Sequence, residues 1–509
     1  MVEGGKASSS PDPTSGTVAV ETVSLNPPHV KEKVFSTFEI LSLGYCVCNS
    51  WVGVAGALTI GLSQGGPALL VYGFILMSLI ILCIGLSLSE LASVYPHAGG
   101  QYVYAHRLAP ARFRRAASFA TGFANIAAWA VISASVAFLT AQFCLAAVYF
   151  SLGIEIKDWH YFVCFQGVNI LGTLYVWLIV HKTPVVYQVG LYASLVLFLI
   201  TLFSGVFGPG AIKSHNPSSF VWSSFTNETG WSSNFVCFIT GMINVNYAFG
   251  GFDGAIHVAA ESSDPRRDIP KALLGTVGIG FFTTLAWILG ILYSVQDAAA
   301  AAASGSGVPY FDIILQSLSG HKAGIYVVIA IALVNIFVSL LACQHSAMRL
   351  IQSFAADGGL IFGKYIAKEH DRFGSAGWAL LFNAFWVFLI GCLYLASNTV
   401  YNAVIGSTLI LSHISYAIPV FLLMLKGRKL ARRAYIPLGP FGWLANAVTV
   451  IWAILALIFY SFPAAIPVSG SSMNYCSVVI AVVAIFGSVN WVFKGRKEFE
   501  IRGLLPEDL

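Results

Sequence analysis

Tyr247-Ala248-Phe249-Gly250-Gly251-Phe252-Asp253-Gly254 lies inside an apolar run from 233 to 260, and its reading decides the fold. Three glycines and a carboxylate interrupt what would otherwise be one helix, and each glycine costs a helix about 1 kcal/mol relative to alanine. A run this long and apolar suits lipid, where a span takes about 20 residues and satisfies its own backbone hydrogen bonds. The interruption therefore places a helix break at mid-membrane depth. Irregular backbone survives there only where protein or a water-filled cavity covers it.

Further runs of the same kind flank it at 40 to 62, 68 to 89, 116 to 150, 161 to 180 and 185 to 207, then at 272 to 295, 323 to 343, 376 to 396, 400 to 425, 443 to 462 and 475 to 493. The count is twelve spans. Loop charge tests it independently, because lysine and arginine gather on the cytoplasmic side of a membrane protein. With the N-terminus inside, all 27 basic residues except Lys157, Lys213 and Lys322 fall on the cytoplasmic side. A missing span would scramble that sorting.

Composition agrees. Of 509 residues, 57% are hydrophobic and 10% charged, against roughly 25% charged in a soluble domain. The net charge of +5 follows from basic residues at cytoplasmic helix ends, so no nucleic-acid partner is implied and the lipid bilayer is the expected surrounding. Nine cysteines, among them Cys46, Cys48, Cys144, Cys343 and Cys476, lie in or beside spans without metal-ligand spacing, so core packing is their expected role. Residues 1–35 are rich in Ser, Pro and Gly and read as a disordered cytoplasmic tail; 36–495 are expected to form one twelve-span domain and 496–509 a cytoplasmic C-terminal tail. Asn227-Glu228-Thr229 is a glycosylation sequon in a loop that the topology places outside.

An ionisable residue inside the membrane is costly and marks a functional candidate. Asp253 is the one acid well inside a span; Glu39, Glu90 and Glu261 sit near cytoplasmic helix ends. If span 6 is broken at Gly250, Gly251 and Asp253, an inverted repeat demands a matching break in span 1. Asn49-Ser50-Trp51-Val52-Gly53-Val54-Ala55-Gly56 supplies it, with Asn49 and Gly53 spaced like Asn246 and Gly250, so Gly53 and Gly250 are expected to mark the two helix breaks. The bland alternative is that these glycines serve close helix packing. Asp253, His257 and Glu261 recur every four residues and would line one helix face toward the cytosol, a proton route; the alternatives are that His257 bonds a neighbouring helix and Glu261 pairs with Arg266. Trp51, Phe249 and Phe252 stand beside the two breaks, where aromatic faces could hold an ammonium group, although most membrane aromatics simply pack.

Three blocks carry a resemblance. Ser87-Leu88-Ser89-Glu90-Leu91-Ala92-Ser93-Val94-Tyr95-Pro96-His97-Ala98-Gly99-Gly100-Gln101-Tyr102 resembles the signature after helix 2 of amino acid–polyamine–organocation (APC) permeases. The stretches from Gly250 to Pro270 and from Phe354 to Phe362 agree with it, and the likeness covers residues 36 to 495. Asn49-Ser50-Trp51-Val52-Gly53 with Ser63-Gln64-Gly65-Gly66-Pro67 looks most like the fungal amino acid/choline permease branch, whose members carry γ-aminobutyrate, choline or amino acids. The resemblance implies an all-α integral membrane fold of twelve transmembrane helices, a five-plus-five inverted repeat with two extra helices, and a site between broken helices 1 and 6 with helices 3, 8 and 10 around it. Three departures stand out: Ser50 to Ala55 replaces the usual Gly-Ser-Gly, Ala356 stands where Arg is usual, and Ile361 where Pro is usual.

The expectation is a multi-pass secondary transporter of the plasma membrane, both termini cytoplasmic, carrying a small amino acid or amine, with proton symport favoured because a histidine titrates near neutral pH. No clustered catalytic or metal-ligating residues and no phosphate-binding Gly-Lys motif are present, so an enzyme or an ATP-driven pump is not expected, nor any cofactor. A channel would more naturally show a filter or charged rings. A transport-like nutrient sensor is left open, and vesicle uptake separates it.

Overall fold

The computed structural model describes residues 35–179, 185–213, 215–297, 300–301, 304–370, 375–470 and 473–501. Apart from Phe35, the expected N-terminal tail lies outside these residues, as does 502–509. Among the described residues every regular element is helical, and twelve helices are long and apolar enough to cross a membrane. They are span 1 (Thr37–Gly56), span 2 (Gly66–Val94), span 3 (Arg114–Leu152), span 4 (Asp158–Leu178), span 5 (Val185–Ile212), span 6 (Asn234–His257), span 7 (Pro265–Ser294), span 8 (Lys322–Ala356), span 9 (Gly377–Ala396), span 10 (Thr399–Leu425), span 11 (Phe441–Phe459) and span 12 (Cys476–Glu498).

Span 1 starts on a reciprocal cap: the Glu39 backbone N–H donates to Ser36 Oγ, and the Ser36 N–H donates to Glu39 Oε2. Spans 3 and 8 run far beyond a bilayer's thickness, with 39 and 35 residues. Sequence reading stops span 8 at 343 because Gln344, His345 and Arg349 follow. In the structure neighbouring helices meet these polar groups. Gln344 Nε2 donates to Asn169 Oδ1 at 3.2 Å, His345 Nδ1 lies 2.8 Å from the Tyr187 hydroxyl, and Arg349 pairs with Glu261. A polar side chain does not end a helix when the protein supplies its partner.

Span 3 packs along spans 8 and 10, span 7 along spans 1 and 2, and span 5 along span 8. This brings the middles of spans 1, 3, 6, 8 and 10 together and leaves spans 4, 5, 9 and 12 less covered.

Residues assigned to both tails pack against the bundle. Phe35, read as tail, is buried and its N–H donates to Glu261 O at 3.1 Å. Residues 496–501, also read as tail, fold back over the start of span 3 and the end of span 8. Phe499 is fully buried, its ring 5.2 Å from that of Phe354, 5.6 Å from Phe119 and 6.2 Å from Tyr102. Arg115 Nε donates to Phe499 O, and the Glu500 N–H donates to Asp357 O. Removing this ring leaves a cavity, so Phe499→Ala is expected to destabilise the protein by about 3–5 kcal/mol, read as a lower midpoint of thermal unfolding in detergent.

Candidate transport site

Span 1 breaks at Asn49, whose φ of 41° and ψ of 54° place it in the left-handed region. That conformation is unusual for a residue with a side chain, and asparagine is among the few that tolerate it. Its amide is held from two sides: Asn49 Nδ2 donates to Asn335 Oδ1 of span 8 at 2.5 Å, and Ser194 Oγ of span 5 donates to Asn49 Oδ1 at 3.0 Å. Helix resumes over Ser50–Gly56, and a second interruption at Ala57 is capped by Asn244 Nδ2, which donates to Ala57 O at 2.6 Å. Span 6 is helical over Asn234–Asn246, tightens over Tyr247–Phe249, turns extended at Gly250 and left-handed at Gly251 (φ 74°), and resumes over Gly254–His257.

The break in span 1 therefore lies at Asn49 and not at Gly53. Gly53 is inside a helical segment, its N–H donating to Asn49 O at 3.0 Å. Its role is close approach, since a Cβ there would stand 2.7 Å from the Tyr247 carbonyl oxygen. The matched Asn-to-Gly spacing thus hides an asymmetry, with the break at the asparagine in span 1 and at the glycine in span 6.

Between these breaks lies a cavity of about 610 Å³. It is walled by spans 1, 3, 6, 8 and 10 and by the segment after span 11, and it reaches the loop residues Gln64, Ala464 and Met473 at the end of the bundle opposite Ser36 and Phe499. Of the residues singled out in the sequence, Asn49, Val52, Gly53 and Gly250 line it. Ser50, Trp51, Val54, Ala55, Phe249, Gly251, Phe252 and Asp253 do not; all eight are buried in packing around it. Trp51 donates its indole N–H to Ser194 Oγ at 3.1 Å and packs on Trp287 and Tyr310. Phe249 stacks on Phe74 and Phe252 meets Tyr416 edge-on. The expected aromatic cage of Trp51, Phe249 and Phe252 is therefore not formed.

Other aromatics face the space instead: Phe138 of span 3, Tyr247 of span 6, Tyr401 of span 10, and Phe459, Tyr460 and Phe462. Phe138 and Tyr401 pack with ring centroids 4.9 Å apart. Sequence reasoning missed them because nothing in an apolar helix marks which aromatic turns inward. Among the described residues the wall carries no acidic, basic or histidine side chain.

Asp253 lies buried just past the glycine break, surrounded by donors. Tyr416 OH donates to Oδ1 at 2.7 Å, while Gln101 Nε2 at 2.7 Å and Trp129 Nε1 at 3.4 Å donate to Oδ2. His257 Nε2 stands 3.1 Å from Oδ2. The expected row of Asp253, His257 and Glu261 on one helix face stops after its second member. The helix ends at His257, and Val258 and a tight turn over Ala259–Glu261 rotate Glu261 away. Glu261 meets Arg349 and His345 of span 8, and not Arg266. Among the described residues no three His, Cys, Asp or Glu side chains gather as a metal site.

The sequon loop is tightly built. Asn227 Nδ2 donates to Trp231 O at 2.9 Å and to Asn234 Oδ1 at 3.2 Å, and Thr229 Oγ1 donates to Asn227 Oδ1 at 2.6 Å. Trp231 in turn stacks on Phe462 at the cavity mouth.

A bundle of twelve spans, with two spans broken beside a solute-sized cavity, defines a membrane permease. The chain belongs to the amino acid permease family of the APC superfamily, which it matches over residues 35–485. It is 36% identical over 472 residues to a choline transporter of Saccharomyces cerevisiae, covering 92% of this chain and 82% of that one. It is 31% identical to the swainsonine transporter swnT of Arthroderma benhamiae, covering 92% of each, and 26% identical to the amino-acid permease BAT1 of Arabidopsis thaliana, covering 91% and 92%.

Proposed function

We propose that this permease imports small organic amines of the choline kind across the plasma membrane, driven by an inward proton gradient. The observation that carries the substrate reading is the uncharged, aromatic wall of the cavity. A zwitterionic amino acid asks for a cationic group or a set of N–H donors to meet its carboxylate. A quaternary ammonium has no N–H to donate and no anionic group to satisfy, so aromatic faces and helix C-terminal ends suffice. Both half-helices that reach the breaks from their N-terminal sides, Thr37–Cys48 and Asn234–Asn246, end there, and such ends carry partial negative charge. The yeast relative's name points the same way. The gathering of basic residues toward the other end of the bundle supports an opening that faces outward.

A single competition panel of γ-aminobutyrate, choline and amino acids in cells expressing the chain tests this reading. Choline and its quaternary analogues are expected to displace one another, and failure of any quaternary amine to compete refutes it. Phe138→Leu is expected to raise the KM for choline about thirtyfold, the size of one desolvated cation–π contact, with a smaller change for any uncharged competitor.

A further inference from the structure

We propose that Asp253 and His257 together form the proton site of this carrier, holding one exchangeable proton in the conformation seen here and losing their mutual contact when it leaves. The proposal rests on the proton-symport reading and supplies its atoms.

The argument is one of hydrogen-bond bookkeeping. His257 Nδ1 lies 3.0 Å from the Ala98 carbonyl oxygen. A carbonyl can only accept, so Nδ1 carries a hydrogen. A neutral imidazole has a single N–H, and it is committed to Ala98. His257 Nε2 nevertheless sits 3.1 Å from Asp253 Oδ2. With an ionised carboxylate and a neutral imidazole, two lone pairs would face each other at that distance. The contact therefore holds one more proton, on Nε2 as imidazolium facing carboxylate, or on Oδ2 as carboxylic acid facing imidazole. Both arrangements have the same proton count and no net charge. Release of that proton leaves a carboxylate and a neutral imidazole, and the contact turns from attractive to repulsive.

The surroundings turn this into a movement. Asp253 is held by Tyr416 of span 10, Trp129 of span 3 and Gln101 of the short helix Gln101–Leu108. His257 is tied instead to the loop carrying Ala98. Asp253 caps the four-residue helix Gly254–His257 and His257 ends it; left-handed Gly251 precedes this short segment and the turn at Val258 follows it, so it can swing or loosen without unwinding a long helix. Gly250 lines the cavity three residues before Asp253, which couples that swing to the substrate space. The other titratable groups facing the pair are Tyr416, Tyr104 and Cys48. His97, beside Ala98, is held neutral, since burial and the Arg107 charge push its pKa down to about 4. Glu261 is committed to Arg349.

Proteoliposomes containing the full chain provide the test. In His257→Gln, glutamine retains hydrogen-bonding capacity but has no proton to exchange. The variant is expected to exchange labelled choline for choline, to lose accumulation driven by an inward proton gradient, and to show a flattened pH profile. Proton-driven accumulation with the wild-type pH profile would overturn the proposal. The wild-type arm separates the two readings: if a sodium gradient drives accumulation and a proton gradient does not, the symport reading fails and this site with it. Should the variant fail to fold, 15N spectra of histidine-labelled wild type decide. A protonated Nδ1 on His257 is expected, and a bare Nδ1 refutes the bookkeeping.

Discussion

Asp253→Asn is expected to abolish concentrative uptake while the protein still reaches the membrane. Asparagine is isosteric: its carbonyl oxygen can accept from Tyr416, its amide can donate to a neutral His257 Nε2, and Gln101, which donates to Oδ2 in the wild type, can turn its own amide to accept from the second N–H. The chain should therefore fold. What disappears is the negative charge that makes a second proton on His257 favourable. Removing one member of a buried, hydrogen-bonded charged pair typically costs 3–5 kcal/mol, so the proton-loaded state would lose more than two orders of magnitude in population. Uptake measured against surface expression checks this, and normal accumulation by a well-expressed variant would refute the role of Asp253 in transport.

Gly53→Ala is expected to be nearly as damaging, for a steric reason. Even the smallest side chain would set a Cβ 2.7 Å from the Tyr247 oxygen and 3.1 Å from its carbonyl carbon. Both are backbone atoms, so no side-chain rotation relieves the clash. The second half of span 1, Ser50–Gly56, must then separate from the end of the span 6 helix, on which one wall of the cavity depends. Gly278 of span 7 is the matched control, because a Cβ there meets nothing within 4 Å. Gly278→Ala should transport like wild type. Equal activity of the two alanine variants would remove the close-approach argument.

The number and order of spans were legible in the sequence because hydropathy and the bias of basic loops report on the solvent, which acts on every residue alike. The break in span 6 was legible for a similar reason: three glycines beside an acid are a local statement about backbone. The break in span 1 was misplaced by four residues because Asn49 is held in its left-handed conformation by Asn335 and Ser194, far away in sequence. The cation cage was misread for a related cause. Trp51, Phe249 and Phe252 border the breaks in sequence, yet side-chain direction after a break depends on dihedral angles that composition does not encode. Asp253 and His257 were paired from their spacing alone, whereas Glu261 needed knowledge of where the helix stops.

The uncharged cavity wall has an electrical consequence. On the symport reading, an organic cation entering it adds one positive charge, and the proton-loaded Asp253–His257 pair adds none, so the loaded carrier moves one charge inward. Once substrate and proton have left, the pair holds one negative charge, and the returning empty carrier takes that charge outward. Neither half of the cycle is silent to voltage. Each charge is worth about 2.3 kcal/mol per 100 mV, so the two steps together supply about 4.6 kcal/mol at that potential. With equal pH on both sides, the membrane potential alone would then concentrate the amine by roughly three orders of magnitude.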